Sequence, residues 1–374
     1  MIDNQRHLFD IPEDRVWLNC ASRTPLLKAV RDAGHYGVDR KFHPWTIDEG
    51  ERHDEAERVR TLFAGLIGAN AEDIAIQPSA AYGLATAAAN LDLPAGGRIV
   101  VLEGQFPSNV YVWQDLAKAR GAEIVTVTRP GDGDWTRAVL AALDERLAIA
   151  ALPPCLWSDA TRLDLDVVAD AVHDIGAALV IDSTQATGAS VTDVGRLDAD
   201  FLVCAGYKWL MGPYTQSFLY AAPRHHGGRP LESHSFNHPI VVEGPTNYPA
   251  DFTPAARRYD MGEFMNLINL PMVEAALGQV AAWGPDAIQQ TLTPMTARIA
   301  AAARDRGLKV VDDDQRLGHY LSVGHPDGWP GDTVARLGAD QVHVSMRAGL
   351  IRISPHLHTN DDDIRRFFEC LDAL

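Results

Sequence analysis

Phe201-Leu-Val-Cys-Ala-Gly-Tyr-Lys-Trp-Leu-Met-Gly-Pro213 is an apolar run that ends in a Gly-Pro turn and contains one charged side chain, Lys208. Burying a charged lysine among large apolar neighbours is costly, so we expect its pKa to fall. A lysine that is neutral near pH 7 can form an imine with a carbonyl compound. The structural alternative is a lysine that extends from a strand end to water.

A second apolar run lies just upstream and ends on an acid. Leu179-Val-Ile-Asp-Ser-Thr-Gln-Ala-Thr-Gly188 is typical of a buried strand that is followed by a polar turn. Asp182 could simply stabilise that turn, or it could hold a pyridine nitrogen protonated. A Schiff-base lysine and an acid for a pyridinium nitrogen are the protein groups that pyridoxal 5'-phosphate (PLP) requires. Lys208 and Asp182 together therefore predict a PLP-dependent enzyme.

The pattern around these two runs alternates between strands and helices. Short strands are predicted at residues 74–77, 98–102, 124–127, 148–152, 178–182, 201–204 and 217–220, with helices between most of them. This order predicts an α/β fold with a mostly parallel central sheet covered by helices. Ligands of such sheets bind at the carboxyl ends of the strands. Lys208, Asp182 and the turn at residues 79–81 all follow predicted strands.

The chain divides into four predicted regions. Residues 1–50 are expected to be an irregular N-terminal segment that packs with a small domain. Residues 51–256 form the large PLP-binding domain, and residues 257–284 contain a connecting helix. Residues 285–374 mix short strands and helices and predict a smaller α+β domain of ordinary size.

Composition narrows the class of protein. The chain has 374 residues and a net charge of −17, which argues against a nucleic-acid partner. Four scattered cysteines, without metal-binding spacing, predict neither a disulfide framework nor a metal site. We find no signal peptide and no apolar run of about 18 residues, and therefore expect a cytoplasmic protein without a membrane partner.

Three further features could contact the cofactor. Ser79, Ala80 and Ala81 lie between a strand and a helix, where backbone N–H groups and the helix dipole favour a phosphate. Ser79 could instead serve only as a helix N-cap. Phe106 follows a strand and could stack on a flat ring or close the core. Gln185 could donate a hydrogen bond to the ring oxygen of the cofactor, or be an ordinary loop amide.

Arg352 is the candidate for the substrate carboxylate. It lies in a strand between two isoleucines, and its guanidinium group suits bidentate capture of a carboxylate. The alternative is an exposed arginine on an edge strand. Arg347 is a second candidate. Phe236 and Asn237 lie in a long irregular stretch, residues 225–250, and we predict that both face the substrate pocket.

The chain resembles the class V aminotransferase family of fold-type I PLP enzymes over nearly its whole length. The segment from Leu163 through Asp182-Ser-Thr-Gln185 to Pro213 is similar to the cysteine desulfurase, selenocysteine lyase and isopenicillin N epimerase branch. Phe106-Pro-Ser-Asn109 and the pair Tyr207-Lys208 resemble kynureninase. The segment Ile351–Ile364 resembles the C-terminal arginine motif of the family.

The resemblance implies a role for each candidate. Lys208 would be the Schiff-base lysine and proton shuttle, while Asp182 and Gln185 would bind the ring nitrogen and ring oxygen. Phe106 would stack on the ring. Ala80, Ala81 and the Tyr207 hydroxyl would bind the phosphate, and Arg352 would hold the α-carboxylate of an amino acid substrate. Members of the family are usually homodimers.

At some positions the residues differ from those usual in the family, and these differences limit the reactions that we expect. Desulfurases carry a nucleophilic cysteine before the arginine motif, and this chain has none between Ser322 and Arg352. Ala205 replaces a serine or threonine that often binds the phosphate, and Glu263 replaces a threonine. We therefore predict a C–S β-lyase acting on cysteine or a cysteine conjugate, not a persulfide-forming desulfurase. A class V aminotransferase, an amino acid epimerase and a kynureninase-like hydrolase remain alternatives, and a non-catalytic PLP-binding protein is a further one.

Overall fold

A seven-stranded sheet forms the centre of the molecule, in the order β2-β8-β7-β6-β5-β3-β4. The structure, a computed structural model, describes residues 1–239 and 248–374. The strands are β2 (Ile74–Gln77), β3 (Arg98–Leu102), β4 (Glu123–Val127), β5 (Leu147–Leu152), β6 (Ala178–Asp182), β7 (Phe201–Ala205) and β8 (Ser217–Ala221). Within this sheet, β8 runs antiparallel to both neighbours and the other described pairings are parallel. The prediction of a mostly parallel sheet is confirmed.

Helices cover both faces of this sheet. They include α2 (Glu49–Ile67), α3 (Ala80–Asn90), α4 (Ser108–Arg120), α5 (Trp135–Ala142), α6 (Leu165–Ile175) and α7 (Val194–Leu197). Alternate residues of β3 show the two-sided burial: Val100 and Leu102 join one apolar cluster, and Ile99 and Val101 join the other. Successive side chains of a strand point to opposite faces, so both faces are core. The α/β fold class is confirmed.

The C-terminal part builds a second, smaller sheet. Its strands are β9 (Lys309–Val310), β10 (Leu321–Gly324), β12 (Ser345–Arg347) and β13 (Leu350–Ile353), in the antiparallel order β12-β13-β10-β9. Helices α9 (Pro285–Arg304), α10 (Thr333–Ala339) and α11 (Asp361–Asp372) belong to the same part of the chain. The N-terminal strand β1 (Val16–Trp17) pairs in parallel with β11 (Val342–His343). The start of the chain is thereby joined to its last quarter.

Residues 1–50 are more regular than the sequence predicts. A 15-residue helix, α1 (Lys28–Phe42), packs against α8 (Asn269–Trp283), and its Arg40 forms a salt bridge with Glu55 of α2. Gly34 and Gly37 make this helix difficult to predict from the sequence, because glycine is a poor helix former. Gly37 is needed for close packing, because a Cβ there would lie 2.3 Å from the Leu267 carbonyl oxygen, and Gly34 lies against the Met272 side chain. The expectation of an irregular segment is therefore wrong for residues 28–42.

The longest described helices are α9, with 20 residues, and α2, with 19. Both carry charged side chains along their length. Among residues 1–239 and 248–374, no helix combines the length and the apolar character that crossing a membrane requires.

Candidate active site

Three strand ends converge on one cavity of about 320 Å³. Chain segments leaving β2, β6 and β7 supply Ser79, Asp182 and Lys208 to its walls. Other lining residues are Pro78, Ala80, Ala81, Gln105, Phe106, Ser108, Pro153, Cys155, Trp157, Thr184, Gln185, Ala205, Tyr207, Tyr214, Thr215 and Ser217. The cavity therefore lies at the carboxyl edge of the parallel sheet, where this architecture binds ligands. Eight residues predicted to contact the cofactor, Ser79, Ala80, Ala81, Phe106, Asp182, Gln185, Tyr207 and Lys208, line it together.

Lys208 is buried at the floor of this cavity. Its side chain is 6% exposed, so it does not extend to water. Burial lowers the pKa of Lys208 to about 8, opposed by the charge of Asp182 and assisted by Arg352. Its Nζ lies 5.3 Å from the centroid of the Phe106 ring. Among the described residues, no carboxylate forms an ion pair with it, so nothing holds the amine in its charged form by direct contact.

Asp182 ends β6 inside the same cavity. Its Oδ1 accepts a hydrogen bond from the backbone N–H of Thr184 at 3.1 Å. Burial raises the pKa of this carboxyl group, and the Thr184 hydrogen bonds and the charge of Lys208 oppose the shift. A cationic ring nitrogen beside it would stabilise the ionised carboxylate. The arrangement suits the acid that a pyridine ring requires.

The part of the cavity wall at the start of α3 suits a phosphate. Ser79 caps α3, and its Oγ accepts a hydrogen bond from the Tyr82 backbone N–H at 3.1 Å. The first turn of a helix leaves backbone N–H groups without intrahelical partners, and the helix dipole there favours an anion. Ala80 and Ala81 present that turn to the cavity. The rings of Tyr207 and Tyr214 stack nearby, with centroids 4.3 Å apart.

Gln185 is fixed by hydrogen bonds on both sides of its amide. Its Oε1 accepts from Trp209 Nε1 at 2.9 Å, and its Nε2 donates to the Ala21 carbonyl oxygen at 3.0 Å. The Gln185 backbone oxygen lies 2.6 Å from His319 Nε2. One N–H of the side-chain amide remains for a ligand. Gln185 is therefore more than an exposed loop amide, because the fold orients it into the cavity.

A second chamber, of about 400 Å³, adjoins the first. Its walls are Asn19, Ala21, Ser22, Arg23, Phe106, Trp157, Gln185, Tyr207, Lys208, Tyr214, Arg347 and Arg352. Lys208 and Phe106 line both spaces, so the lysine lies at their boundary. The turn at residues 79–81 lines only the first cavity, whereas a ligand in the second chamber would still reach Lys208. We call this space the substrate chamber.

Arg352 is buried in the wall of the substrate chamber. It lies on β13, between β12 and β10, so the alternative of an exposed edge-strand arginine is wrong. The side chain is 1% exposed, and burial lowers the pKa of Arg352 to about 10. Its Nη1 donates to the Trp157 carbonyl oxygen at 2.6 Å and its Nη2 donates to Ser22 Oγ. Its Nε is buried without a described hydrogen-bond partner.

Phe236 and Asn237 do not line either chamber. Asn237 is fully buried, and its Nδ2 donates to the carbonyl oxygens of Glu232 and Arg258. Phe236 packs edge-on against Phe264, with ring centroids 6.1 Å apart. The prediction that these two side chains face the substrate pocket of their own chain is therefore wrong, because the local packing uses both. Residues 240–247 of the same predicted wall lie outside the described residues.

Several lining residues carry no signal that the sequence reading used, and Trp157 and Ser22 are the two with the most direct contacts to predicted site residues. Trp157 follows the end of β5, and its ring packs edge-on against Phe106 with centroids 5.5 Å apart. Its position after a predicted strand was the available signal. Ser22 comes from the turn after β1 and accepts hydrogen bonds from Arg352 and Arg347. No local pattern marks it, because only the long-range packing of the N-terminal segment brings it there.

A mostly parallel α/β sheet with a buried lysine and a buried carboxylate in one cavity defines a class of PLP-dependent enzymes. The chain belongs to the class V aminotransferase family, described as "Aminotransferase class-V", whose family model matches residues 43–366. Pyridoxal 5'-phosphate is the cofactor of this family, and the cavity offers a lysine, an acid and a helix N-terminus where that molecule needs them. The protein is therefore a PLP-dependent enzyme.

Curated relatives carry different activities. The chain is 29% identical over 290 residues to a kynureninase of Deinococcus radiodurans, covering 73% of this chain and 67% of the relative. It is also 29% identical over 298 residues to a probable cysteine desulfurase of Vibrio cholerae, covering 74% of this chain and 73% of the relative. The family is shared, but these relatives do not agree on one reaction.

The solved structure of a cystine C–S lyase named C-DES, in complex with its product cysteine persulfide, shares the fold. The two chains superpose with a TM-score of 0.86, covering 96% of this chain and 98% of that one, at 16% sequence identity. At this identity the likeness concerns the architecture alone. It extends over both the central sheet and the C-terminal part.

Proposed function

We propose that this enzyme is a C–S β-lyase that acts on cysteine or an S-substituted cysteine, and that it does not form a persulfide on its own chain. One observation carries this proposal: no cysteine lines the substrate chamber among the described residues. Cys155 lines the cofactor cavity, but it is buried, and burial raises the pKa of its thiol to about 12. Its Sγ lies 3.3 Å from the Tyr320 hydroxyl. Such a thiol is protonated near pH 7 and is a poor nucleophile.

The chain's own residues suit a β-elimination. PLP, when bound, supplies an electron sink for the charge that develops on the substrate Cα. Lys208 removes the Cα proton as a general base, and its lowered pKa keeps a useful fraction of the amine neutral near pH 8. Arg352 holds the α-carboxylate and so fixes which bonds at Cα face Lys208. The Cβ–S bond then breaks, the sulfur leaves as a thiol, and hydrolysis of the remaining fragment yields pyruvate and ammonia.

The positions around the cavity support the other contacts that we propose. With PLP bound, Asp182 would stabilise the protonated ring nitrogen, and Gln185 would donate its remaining amide N–H to the ring oxygen. Phe106 would pack against the ring. The turn at residues 79–81 and the Tyr207 hydroxyl would bind the phosphate. We further propose a homodimer as the working form, on the basis of the family resemblance.

The test is a product assay on the purified holoenzyme. S-Methylcysteine should give pyruvate and methanethiol in equal amounts, without an added keto acid. Cys155→Ala should retain this activity, since the proposed reaction needs no protein thiol. Amino transfer that requires a keto acid acceptor would instead establish an aminotransferase. Deuterium entry at Cα without net product would establish an epimerase, and a persulfide on Cys155 with cysteine as substrate would refute the exclusion of desulfurase chemistry.

A further inference from the structure

The substrate chamber contains more positive charge than one α-carboxylate neutralises. Arg23, Arg347 and Arg352 line it, and no aspartate or glutamate does so among the described residues. None of these three guanidinium groups forms an ion pair with a described carboxylate, although the chain as a whole has a net charge of −17. A local excess of positive charge, within a protein whose net charge is negative, attracts an anionic ligand.

Other buried arginines of the described chain are paired. Arg40 contacts Glu55 at 3.2 Å, Arg316 contacts Asp313 at 2.9 Å, and Arg60 contacts Asp260. Burying a guanidinium group without a counter-charge is costly. Arg352 is as buried as Arg60 but lacks such a partner. The bound substrate is therefore the source of its counter-charge.

Arg347 lies beside Arg352 and repeats the same arrangement. The two guanidinium carbons lie 5.7 Å and 5.9 Å from the centroid of the same Trp157 ring. Arg347 Nη2 donates to Ser22 Oγ at 3.3 Å, and Arg352 Nη2 donates to the same oxygen. Since Ser22 Oγ accepts from both, its own proton is free to be donated to an anion. Two adjacent cations and a hydroxyl donor form a site for more than one negative charge.

Arg23 extends this site towards the chamber opening. Its side chain is exposed and lines the chamber, while its backbone oxygen accepts a hydrogen bond from Trp17 Nε1 at 3.0 Å. That hydrogen bond fixes the backbone from which the guanidinium group projects. Exposure increases from the buried Arg352 through the half-buried Arg347 to the exposed Arg23, and all three line the same chamber. The chamber therefore offers positive charge at more than one depth.

We propose that the preferred substrate carries a second anionic group in its side chain, which Arg347 binds with help from Arg23 while Arg352 binds the α-carboxylate. Under the reaction proposed above, on which this assignment of substrate class rests, the substrate is an S-substituted cysteine. Its leaving thiol bears a carboxylate or a sulfonate. A neutral thioether of the same shape lacks the counter-charge for Arg347 and binds more weakly.

Binding of unreactive acids tests the subsite without any turnover. Glutarate and its monoamide, glutaramate, have nearly the same shape and differ by one negative charge. Calorimetry on the holoenzyme should show glutarate binding about 10-fold more tightly, the usual contribution of a hydrogen bond to a charged group. Arg347→Gln should bring this ratio close to one, and Arg347→Lys should retain part of it. Arg120→Gln, which removes an exposed charge at the end of α4, should leave the ratio unchanged.

Equal affinity of the wild type for the two acids, or a ratio that survives Arg347→Gln, would overturn the second anion subsite. A turnover assay then addresses the substrate. S-(2-Carboxyethyl)cysteine should have a kcat/KM about 10-fold above that of its carboxamide isostere, with the preference lost in Arg347→Gln. Pyruvate release from neither compound would refute the proposed lyase reaction, while the glutarate ratio would still decide on the subsite.

Discussion

Arg60 and Arg352 are both about 1% exposed, yet their surroundings differ. Arg60 on α2 donates through both Nη1 and Nη2 to the carboxylate of Asp260, and its Nη1 donates to the Ile74 carbonyl oxygen at 2.8 Å. Arg352 on β13 contacts a carbonyl oxygen and a hydroxyl, and its Nε has no described partner. One buried cation is neutralised within the chain, and the other is not.

The comparison distinguishes buried charges that hold the fold together from buried charges that line the candidate active site. In the scaffold, the Arg60–Asp260 pair joins α2 to the end of β2, since Asp260 also accepts from the Ile76 backbone N–H at 2.8 Å. In the site, burial without a counter-charge is a stability cost that a bound carboxylate can remove. Lys208 belongs with Arg352 in this respect, because it is buried without a described ion pair. Unpaired buried cations therefore mark the reactive region of this molecule.

The largest expected effect on activity comes from replacing Lys208, the buried cation of the cofactor cavity. Lys208→Ala should lower kcat/KM by about 10³-fold or more, because it removes both the covalent link to the cofactor and the general base. Borohydride should fix the cofactor to the wild-type chain, and peptide mass analysis should locate the adduct on Lys208. The exposed Lys118→Ala is the matched control. Retention of a borohydride adduct in Lys208→Ala would disprove the assignment.

Breaking the buried Arg60–Asp260 pair should lower the stability of the fold. Asp260→Asn removes the buried counter-charge of Arg60 and leaves only the partly exposed Glu57 at 3.0 Å, so the free energy of unfolding should fall by about 3 kcal/mol. Urea denaturation measures this change. Glu123→Gln removes a carboxylate that pairs with Arg98 and Arg146 at the surface, and should cost less than about 1 kcal/mol. Similar losses in the two variants would contradict the distinction between buried and exposed pairs.

Removing Arg352, the buried cation of the substrate chamber, should affect activity strongly and stability little. Arg352→Gln should lower kcat/KM by roughly 100-fold, mainly through a higher KM, since the charge-assisted hydrogen bonds to the substrate carboxylate are lost. Its free energy of unfolding should change by less than about 1 kcal/mol, because the cost of burying an unpaired charge disappears with the charge. A stability loss as large as that of Asp260→Asn would show that Arg352 is a scaffold residue.

The last effect is small near neutral pH, and it concerns buried histidines rather than cations. Burial lowers the pKa of His319 and His358 to about 4 and that of His356 to about 3, from an ordinary value of 6.5. The unfolded chain binds protons between pH 6.5 and these values while the folded chain does not, so stability is full above pH 6.5 and falls below it. Each histidine contributes about 1 kcal/mol per pH unit in that window.

Urea denaturation of wild type and His356→Phe between pH 4.5 and 7.5 checks this histidine contribution. The variant should have a shallower dependence on pH, because one of the three linked protons is gone. His53→Phe, at an exposed position on α2, is the control and should retain the wild-type slope. A steeper slope in His356→Phe would contradict the burial of a neutral imidazole.

The sequence predicted most of the large sheet and much of the cavity for a shared physical reason. Apolar runs such as residues 178–182 mark buried strands, and the residues directly after each parallel strand must lie at the carboxyl edge of the sheet. Asp182 and Lys208 were found in this way. Their placement in one cavity agrees with the predicted roles, which stay predictions until they are tested by the variants above.

Other features depend on contacts that no local pattern records. The helix at residues 28–42 was missed because its glycines serve packing against α8 rather than helix formation. Ser22 reaches the site only through the pairing of the N-terminal segment with the C-terminal part. Phe236 and Asn237 lie in a stretch whose composition suggested a pocket wall, but their side chains are used in packing. Long-range packing, and not propensity, decides these positions.

The pairing of β1 with β11 has a consequence for the order in which the enzyme is completed on the ribosome. The Cys20 backbone N–H donates to the Ser354 carbonyl oxygen at 3.0 Å, and the Ala21 N–H donates to Ser354 Oγ at 3.0 Å. Residues 16–22 are thus synthesised long before the residues that pair with them. The cofactor cavity, formed largely by residues 78–217, is translated well before Arg347 and Arg352. A nascent chain therefore carries Lys208 long before it carries the arginines that we propose select its substrate.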